Sequence, residues 1–445
     1  MSTSAAFTAY WLTGAHCRRA RNWRADSRLE DVEDSGILGR LPATASRTRE
    51  ADIPHQALTA GSRNPRILTI DEARTLAKHR QPRLVFDFIE GAALTERAHA
   101  LNSSALSEIR LMPRVMIDVR DRNLDTVVLG QRFDLPFGVA PMGMAGLAWP
   151  GTDAALARAS TDAGIPLGLS TAGSMSIEET RDRAGENAWF QLYVRQSVEE
   201  SFVFVDRARA AGYDTLILTV DSPELSRRIR EIRNGFTLPF RMGFRQFLDF
   251  ASHPRWSLGM LRAGTPSPVN FRQAASPRGF VRNEGRETTD WALLERLRQA
   301  WAGRLIVKGV MSSEDAVRIQ EAGADAIYVS NHGGRQFDSA PASISALPKI
   351  RRAVGPDYPL IFDGGVRNGE DIVKALAMGA DFVMLGRAFL YAAGAGGEAG
   401  IRQVIDILAM EISLAMAQIG VRTISAIDSE VIADSGGLAL AREPQ

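Results

Sequence analysis

Three observations predict a closed parallel (β/α)8 barrel of the TIM-barrel class. There are eight short apolar runs, amphipathic stretches between them, and glycine- and arginine-rich loops after the last two runs. The runs are Pro136–Pro141, Pro166–Ser170, Trp189–Val194, Thr215–Val220, Leu305–Lys308, Ala326–Ser330, Leu360–Asp363 and Phe382–Leu385. Each is β-like in composition and bounded by turn residues. Thr152–Ala163, Ser197–Ala211, Ser313–Ala322 and Gly369–Met378 carry the helical period between them. A doubly wound open sheet is the rival architecture, and the count of eight favours closure.

Residues 1–65 read differently from the rest. They have little periodicity and several charged or turn-prone clusters, such as Arg18-Arg19-Ala20-Arg21 and Glu30-Asp31-Val32-Glu33-Asp34. This predicts a disordered or loosely ordered extension, with a barrel domain over 66–445. The start is amphipathic and Arg-rich like a targeting leader, but acidic residues follow at once. An N-terminal helical segment opens the ordered part. Thr69 or Asp71 can cap a helix through Lys78, and Pro82 starts another around Leu84–Glu90.

Run starts usually fall about twenty to thirty residues apart, a repeat typical of strand–helix units. Thr215 and Leu305, the starts of the fourth and fifth, are 90 residues apart. A long insertion, about 236–285, therefore follows strand four. Loops after barrel strands lie on the active-site face, so this insert should overhang the site as a lid. Over Phe236–Arg282 it carries seven arginines against one acid, Asp249. Phe240, Phe244 and Phe247 fall at helical spacing within it. Basic residues interleaved with aromatics suit a peripheral membrane contact. The plainer reading is a solvated lid whose aromatics pack on the barrel.

Composition narrows the function classes. The chain has 445 residues, 45% hydrophobic and 24% charged, with net charge +1. That is an ordinary globular balance with no bulk case for nucleic acid. No run of 18 uncharged apolar residues exists, so no helix is expected to span a bilayer. Cys17 is the only cysteine, which removes a disulfide framework and a cysteine-based metal site, and no metal is expected. Only four lysines and six histidines occur, so each placed at a strand end stands out.

Barrel chemistry comes from the C-terminal ends of strands. In order these read Pro141-Met142-Gly143, Ser170-Thr171, Gln191-Leu192-Tyr193, Thr219-Val220-Asp221, Lys308-Gly309, Ser330-Asn331-His332-Gly333-Gly334-Arg335, Asp363-Gly364-Gly365-Val366-Arg367 and Gly386-Arg387. The last two form an anion site by type. Their glycines expose backbone N–H groups, and Arg367 and Arg387 can neutralise charge. Phosphorylated sugars, nucleotides and flavin mononucleotide fit it equally. Lys308 must meet negative charge in the barrel mouth; it can stabilise an anionic reduced isoalloxazine or form a Schiff base. His332, the one histidine at a strand end, suits a general base. Asp221 is its candidate orienter, and Arg335 a carboxylate clamp.

These strand ends, in this order, closely resemble the FMN-dependent L-2-hydroxy-acid dehydrogenase/oxidase family, which includes glycolate oxidase, L-lactate dehydrogenase and (S)-mandelate dehydrogenase. Ser330-Asn331-His332-Gly333-Gly334-Arg335-Gln336 is the specific signature. Phe190-Gln191-Leu192-Tyr193-Val194, Leu218-Thr219-Val220-Asp221 and Val307-Lys308-Gly309 agree with it. The resemblance runs from about Ile67 to Ile432. Within the family, the insert's His253-Pro254-Arg255-Trp256-Ser257-Leu258 and Asn270-Phe271 resemble the membrane-attachment segment of mandelate dehydrogenases most.

The resemblance implies an FMN cofactor and oxidation of a small L-2-hydroxy acid, mandelate-like or lactate-like, to the 2-oxo acid. His332 takes the substrate proton while hydride passes to flavin N5; a carbanion route is the other formulation. Asp221 supports His332, Tyr193 bonds the substrate oxygen, and Arg228 and Arg335 hold its carboxylate. Lys308 lies at the flavin N1–O2 edge. Ser170, Gln191, Thr219 and Ser330 bind the ring system and ribityl chain, and Pro141, Met142 and Gly143 face the ring. Asp363, Gly364, Gly365, Val366 and Arg367, with Gly386 and Arg387, hold the ribityl chain and phosphate. A homotetramer is implied, as is a cytoplasmic location, peripheral on the inner membrane. Glycine at 143, where family oxidases often carry alanine, leans toward a quinone acceptor over dioxygen.

One departure concerns Val85-Phe86-Asp87-Phe88, where the family usually has a tyrosine at the position of Phe88. Its hydroxyl would touch the substrate carboxylate, a bond worth roughly 1.5–3 kcal/mol. Weaker substrate binding, or a substrate packing its apolar part on Phe88, is expected. Two other readings are a non-catalytic FMN-binding or membrane-associated protein, and an FMN barrel isomerase of the type 2 isopentenyl diphosphate class. The isomerase would need a diphosphate site, whereas His332, Arg335 and Arg228 read as a base and a monocarboxylate clamp.

Overall fold

The computed structural model describes residues 67–195, 197–237, 242–273 and 289–433. The expectation for residues 1–65, and those for Phe240, Arg241, Arg278 and Arg282, lie outside the described residues. Among the described residues there are ten strands: β1 Thr126–Val128, β2 Gln131–Phe133, β3 Phe137–Met142, β4 Leu167–Ser170, β5 Ala188–Leu192, β6 Thr215–Thr219, β7 Arg304–Val310, β8 Ala326–Val329, β9 Leu360–Phe362 and β10 Phe382–Leu385. Strands β3 to β10 pair in parallel with their sequence neighbours, and β10 closes on β3. All eight expected runs are barrel strands.

Capping explains the helices. Thr69 accepts from Glu72 N and starts Ile70–Arg80. Ser197, Ser312 and Asn368 cap Val198–Ala210, Ser313–Glu321 and Gly369–Ala377 in the same way. The helix Arg83–Glu90 starts at Pro82, which has no side chain to cap with. Asp249 of the insert supplies the cap from 166 residues away, accepting from Arg83 N (3.0 Å) and, through its other oxygen, from Leu84 N (3.2 Å).

The hairpin β1–β2 was not legible in the sequence. It turns through Leu129 and Gly130, both with positive φ (53° and 72°), the geometry of a two-residue primed turn. It carries Val128 and Phe133 into the barrel interior among Trp189, Ile217, Ile306, Tyr328, Ile361 and Phe382. Phe133 lies 6.0 Å from Trp189 and 5.5 Å from Phe382 between ring centres. The N-terminal end is thereby plugged, which leaves the C-terminal end for the site.

The described residues of the insert include three short helices, Phe244–Ala251, Pro254–Ala263 and Val269–Gln273. Polar bonds fasten it, among them the Asp249 cap, Trp256 Nε1 to Leu147 O (3.0 Å), Asn270 Oδ1 accepting from Ile177 N (3.0 Å) and Asn270 Nδ2 donating to Met175 O (3.2 Å). Its aromatics divide. Trp256 and Phe271 are buried, while Phe244 and Phe247 are exposed.

Candidate active site

The loops at the C-terminal ends of the barrel strands enclose a cleft of about 1350 Å³, its open mouth included. Most of the expected residues line it: Phe88, Pro141, Met142, Gly143, Tyr193, Arg228, Lys308, His332, Arg335, Asp363 to Arg367, Gly386 and Arg387. Ser170, Gln191, Thr219 and Ser330 do not. They are buried, and Gln191 Nε2 donates to Thr219 Oγ1 at 3.0 Å. Asp221 stands behind His332.

His332 Nδ1 lies 2.9 Å and 3.1 Å from the two Asp221 carboxylate oxygens. Its Nε2 is 3.2 Å from the Tyr193 hydroxyl. An ionised Asp221 fixes the tautomer: Nδ1 carries the proton, and Nε2 presents a lone pair on the cleft side. Burial, the largest influence, lowers the His332 pKa from its ordinary value; Asp221 opposes this, and Lys308 and Arg228 add to it. The imidazole is therefore biased toward its neutral form. Burial alone would raise the Asp221 carboxyl, but its contacts with His332 outweigh this and hold it low.

The backbone that presents His332 is unusual. His332, Gly333 and Gly334 all have left-handed φ, at 59°, 61° and 76°. Such a φ is uncommon for a non-glycine residue and must be over-determined by its surroundings. Asn331 and Asn102 exchange reciprocal amide hydrogen bonds of 2.8 Å, tying the loop to the helix Arg97–Glu108. Gly334 packs so closely on that helix that a Cβ would strike the His99 backbone nitrogen. On the other side, a Cβ at Gly309 (φ 104°) would lie 2.5 Å from Asp221 Cβ, so only glycine there admits the carboxylate.

Lys308 is buried and donates to Ser330 Oγ (2.6 Å) and Asp363 Oδ2 (2.9 Å), with the Tyr328 ring 4.3 Å from Nζ. Arg228 and Arg335 converge from different loops. Between them stands Glu231, 2% exposed, 3.5 Å from Arg228 Nη1 and 3.2 Å from Arg335 Nη2. Burial pulls the Arg228 guanidinium down to about 10, which leaves it charged at neutral pH. Arg335 also donates to Phe88 O (3.0 Å) and Gly91 O (2.5 Å), and its guanidinium lies 5.5 Å from the Phe88 ring centre. Phe88 stacks in turn on Phe236 at 4.7 Å.

Sequence reasoning missed Glu231, though it stands three residues after Arg228, a helical spacing that places the two side by side. It also missed His99. Arg387 donates to Ile89 O (3.1 Å), Gly91 O (3.0 Å) and Gly333 O (2.9 Å), and its Nη1 is 3.2 Å from His99 Nδ1. Burial, then the charges of Arg387 and Arg367, push the His99 pKa down to about 3, so it accepts as a neutral ring. The Arg387 guanidinium thus braces the carbonyl end of the helix Arg83–Glu90.

The cleft fits a flavin mononucleotide. Pro141, Met142 and Leu385 offer an apolar wall for a flat ring, and Lys308 a cation beside it. Gly364 and Gly365, with φ of 122° and 86°, present bare backbone; a Cβ at Gly365 would lie 2.6 Å from Asn102 O. The helix Arg387–Ile419 starts at the same end of the cleft. Its first N–H groups have no intrahelical partner and suit a phosphate, with Arg367 adjacent. Among the described residues there is no His/Cys/Asp/Glu group able to hold a metal ion.

Comparison with known proteins agrees with this architecture. A profile of FMN-dependent dehydrogenases matches residues 77–434. The (S)-mandelate dehydrogenase of Pseudomonas putida is 38% identical over 376 residues, 83% of this chain and 95% of that protein. An L-lactate dehydrogenase of Xanthobacter autotrophicus is 37% identical over 387 residues, 85% and 100% of the two chains. Among solved structures, the monotopic membrane protein (S)-mandelate dehydrogenase superposes with a TM-score of 0.78 at 37% identity, covering 83% of this chain and all of that one. A mandelate oxidase variant bound to (S)-mandelic acid gives 0.70 at 32% identity, covering 81% and 97%. With barrel, cleft and comparisons in agreement, the chain belongs to the FMN-dependent dehydrogenase family and is an FMN flavoenzyme that oxidises 2-hydroxy acids.

Proposed function

We propose that this enzyme oxidises an L-2-hydroxy acid with a bulky or aromatic side chain, His332 acting as the base. The observation that carries this reading is the Asp221–His332–Tyr193 chain facing a cleft with Arg228 and Arg335. FMN, when bound, would supply the two-electron acceptor for this oxidation. The protein's part is positional and electrostatic. Arg228 and Arg335 hold the carboxylate, and Tyr193 hydrogen-bonds the substrate oxygen. His332 Nε2 accepts the hydroxyl proton, and Asp221 stabilises the imidazolium so formed. Lys308 offers positive charge where reduction deposits electrons. The Phe88–Phe236 stack and Leu225 give the cleft an apolar wall for the substrate side chain.

Electrons pass to a quinone, and the insert rests on a membrane surface. Phe244 (76% exposed) and Leu261 (80%) form its apolar crest with Phe247, Leu248 and Leu258, and Arg245, Arg255 and Arg262 are interspersed. This pattern suits an interface contact. Among the described residues no helix is long and apolar enough to cross a membrane.

The test mixes holoenzyme anaerobically with (S)-mandelate, L-lactate and glycolate in turn, follows the flavin absorbance, and then admits air. Fast bleaching with mandelate and slow recovery in air are expected. Fast reoxidation would remove the quinone assignment, and bleaching by glycolate alone would remove the bulky-substrate assignment.

A further inference from the structure

Three charges meet in one cluster beside the cleft. Arg228 stands just before the helix Ile229–Arg233, Glu231 lies within that helix, and Arg335 comes from the loop after β8. Glu231 Oε1 is 3.5 Å from Arg228 Nη1 and 3.2 Å from Arg335 Nη2. Glu231 is buried, while both arginines line the cleft. Neighbouring charges are turned to other partners. Lys308 pairs with Asp363, Asp221 faces His332 Nδ1, and Arg230 pairs with Glu96. Gln336, which accepts from Arg228 Nη2 at 3.2 Å, is neutral. The clamp itself therefore carries two positive charges and one negative. Buried charges are stable only when paired, and one carboxylate between two guanidiniums leaves a single positive charge to be matched.

We propose that Glu231 is a specificity-determining residue that sets how much negative charge the clamp accepts. One carboxylate on a ligand brings the clamp to neutrality. A second carboxylate on the same ligand would meet Glu231, with no further positive charge in the clamp to offset it. Like charges cost far more in a poorly hydrated pocket than in water. The enzyme therefore takes hydroxy acids with one carboxylate and an uncharged side chain, and turns away those with two. Selection of this kind comes from a repulsive group set against the wrong ligand, as much as from attraction to the right one. The inference rests on Arg228 and Arg335 holding the substrate carboxylate.

The experiment titrates the holoenzyme with phenylacetate and with phenylmalonate, and reads binding from the change in flavin absorbance. Neither ligand has a hydroxyl to be oxidised, and at about pH 7.5 they carry one and two negative charges. The parent should bind phenylmalonate at least about tenfold more weakly than phenylacetate. Equal affinities in the parent would overturn the proposal before any variant is made. Glu231→Gln keeps the size and removes the charge. It should narrow the gap between the two ligands about tenfold, the scale of one charge interaction in a site of intermediate dielectric. Glu231→Asp retains the charge and should retain the parent's gap. A gap in Glu231→Gln within about twofold of the parent's, the two constants moving together, would also overturn the proposal and leave Glu231 a support for the arginines alone. Should the glutamine variant not fold, Glu231→Ala, neutral and smaller, is read in the same way. Arg335→Met run alongside separates the two ideas. An unmoved phenylacetate constant there would defeat the carboxylate clamp, whereas the gap between the two ligands alone decides Glu231.

Discussion

The two ends of one barrel have been put to opposite uses. At the floor, Phe133, Trp189 and Phe382 fill the interior ring against ring, with Val128 and Ile361 between. At the mouth, the barrel strands and the loops after them carry Lys308, Asp221, Asp363 and His332, with three consecutive left-handed residues. The floor is packed with aromatic and aliphatic side chains, and the mouth is charged and holds a left-handed histidine. Strain of that kind persists only where surrounding structure over-determines it. A packed floor is therefore a condition for an unrelaxed mouth, and substitutions at the two ends should fail in different ways.

The sharpest test is His332→Gln. It keeps the volume and removes the base, and should lower kcat by about three orders of magnitude while leaving the thermal midpoint unmoved. Next is Phe133→Ala at the floor. It should cost about 3–5 kcal/mol of unfolding free energy in denaturant titration, with kcat at 25 °C within about twofold. Activity lost in step with stability would break the comparison. A smaller effect is expected from Phe88→Tyr, whose hydroxyl can reach the substrate carboxylate. KM for (S)-mandelate should fall about tenfold, with kcat little changed. The smallest concerns pH. Protonation removes the active neutral form of His332, and burial lowers its pKa below 6.5. Hence the midpoint of the acid limb of kcat should lie below the ordinary imidazole value. A midpoint above that value would mean a wetter mouth than its burial implies.

The eight barrel strands were legible because each needs a short apolar run between turns, and His332 because histidine is scarce and only this one ends a strand. The hairpin was hidden by its shortness. Three-residue strands leave almost no period to detect, and Leu129-Gly130 lacks the usual Asn or Asp before glycine. The site residues that escaped notice are those whose meaning depends on distant partners. Glu231 reads as one more charge until two arginines from separate loops close on it. Asp249 looked like the sole acid of a basic insert, and it is a helix cap supplied from 166 residues away.

That cap has an engineering consequence. The helix Arg83–Glu90 is only eight residues, about 12 Å of strut. The insert grips one end through Asp249, while Arg335 and Arg387 grip the carbonyls at the other. Trimming the insert to make a better-behaved reagent would leave Arg83 N and Leu84 N bare at a point seemingly remote from catalysis. Any shortened version should therefore carry a replacement carboxylate or hydroxyl into that spot, or the substrate clamp will inherit the slack.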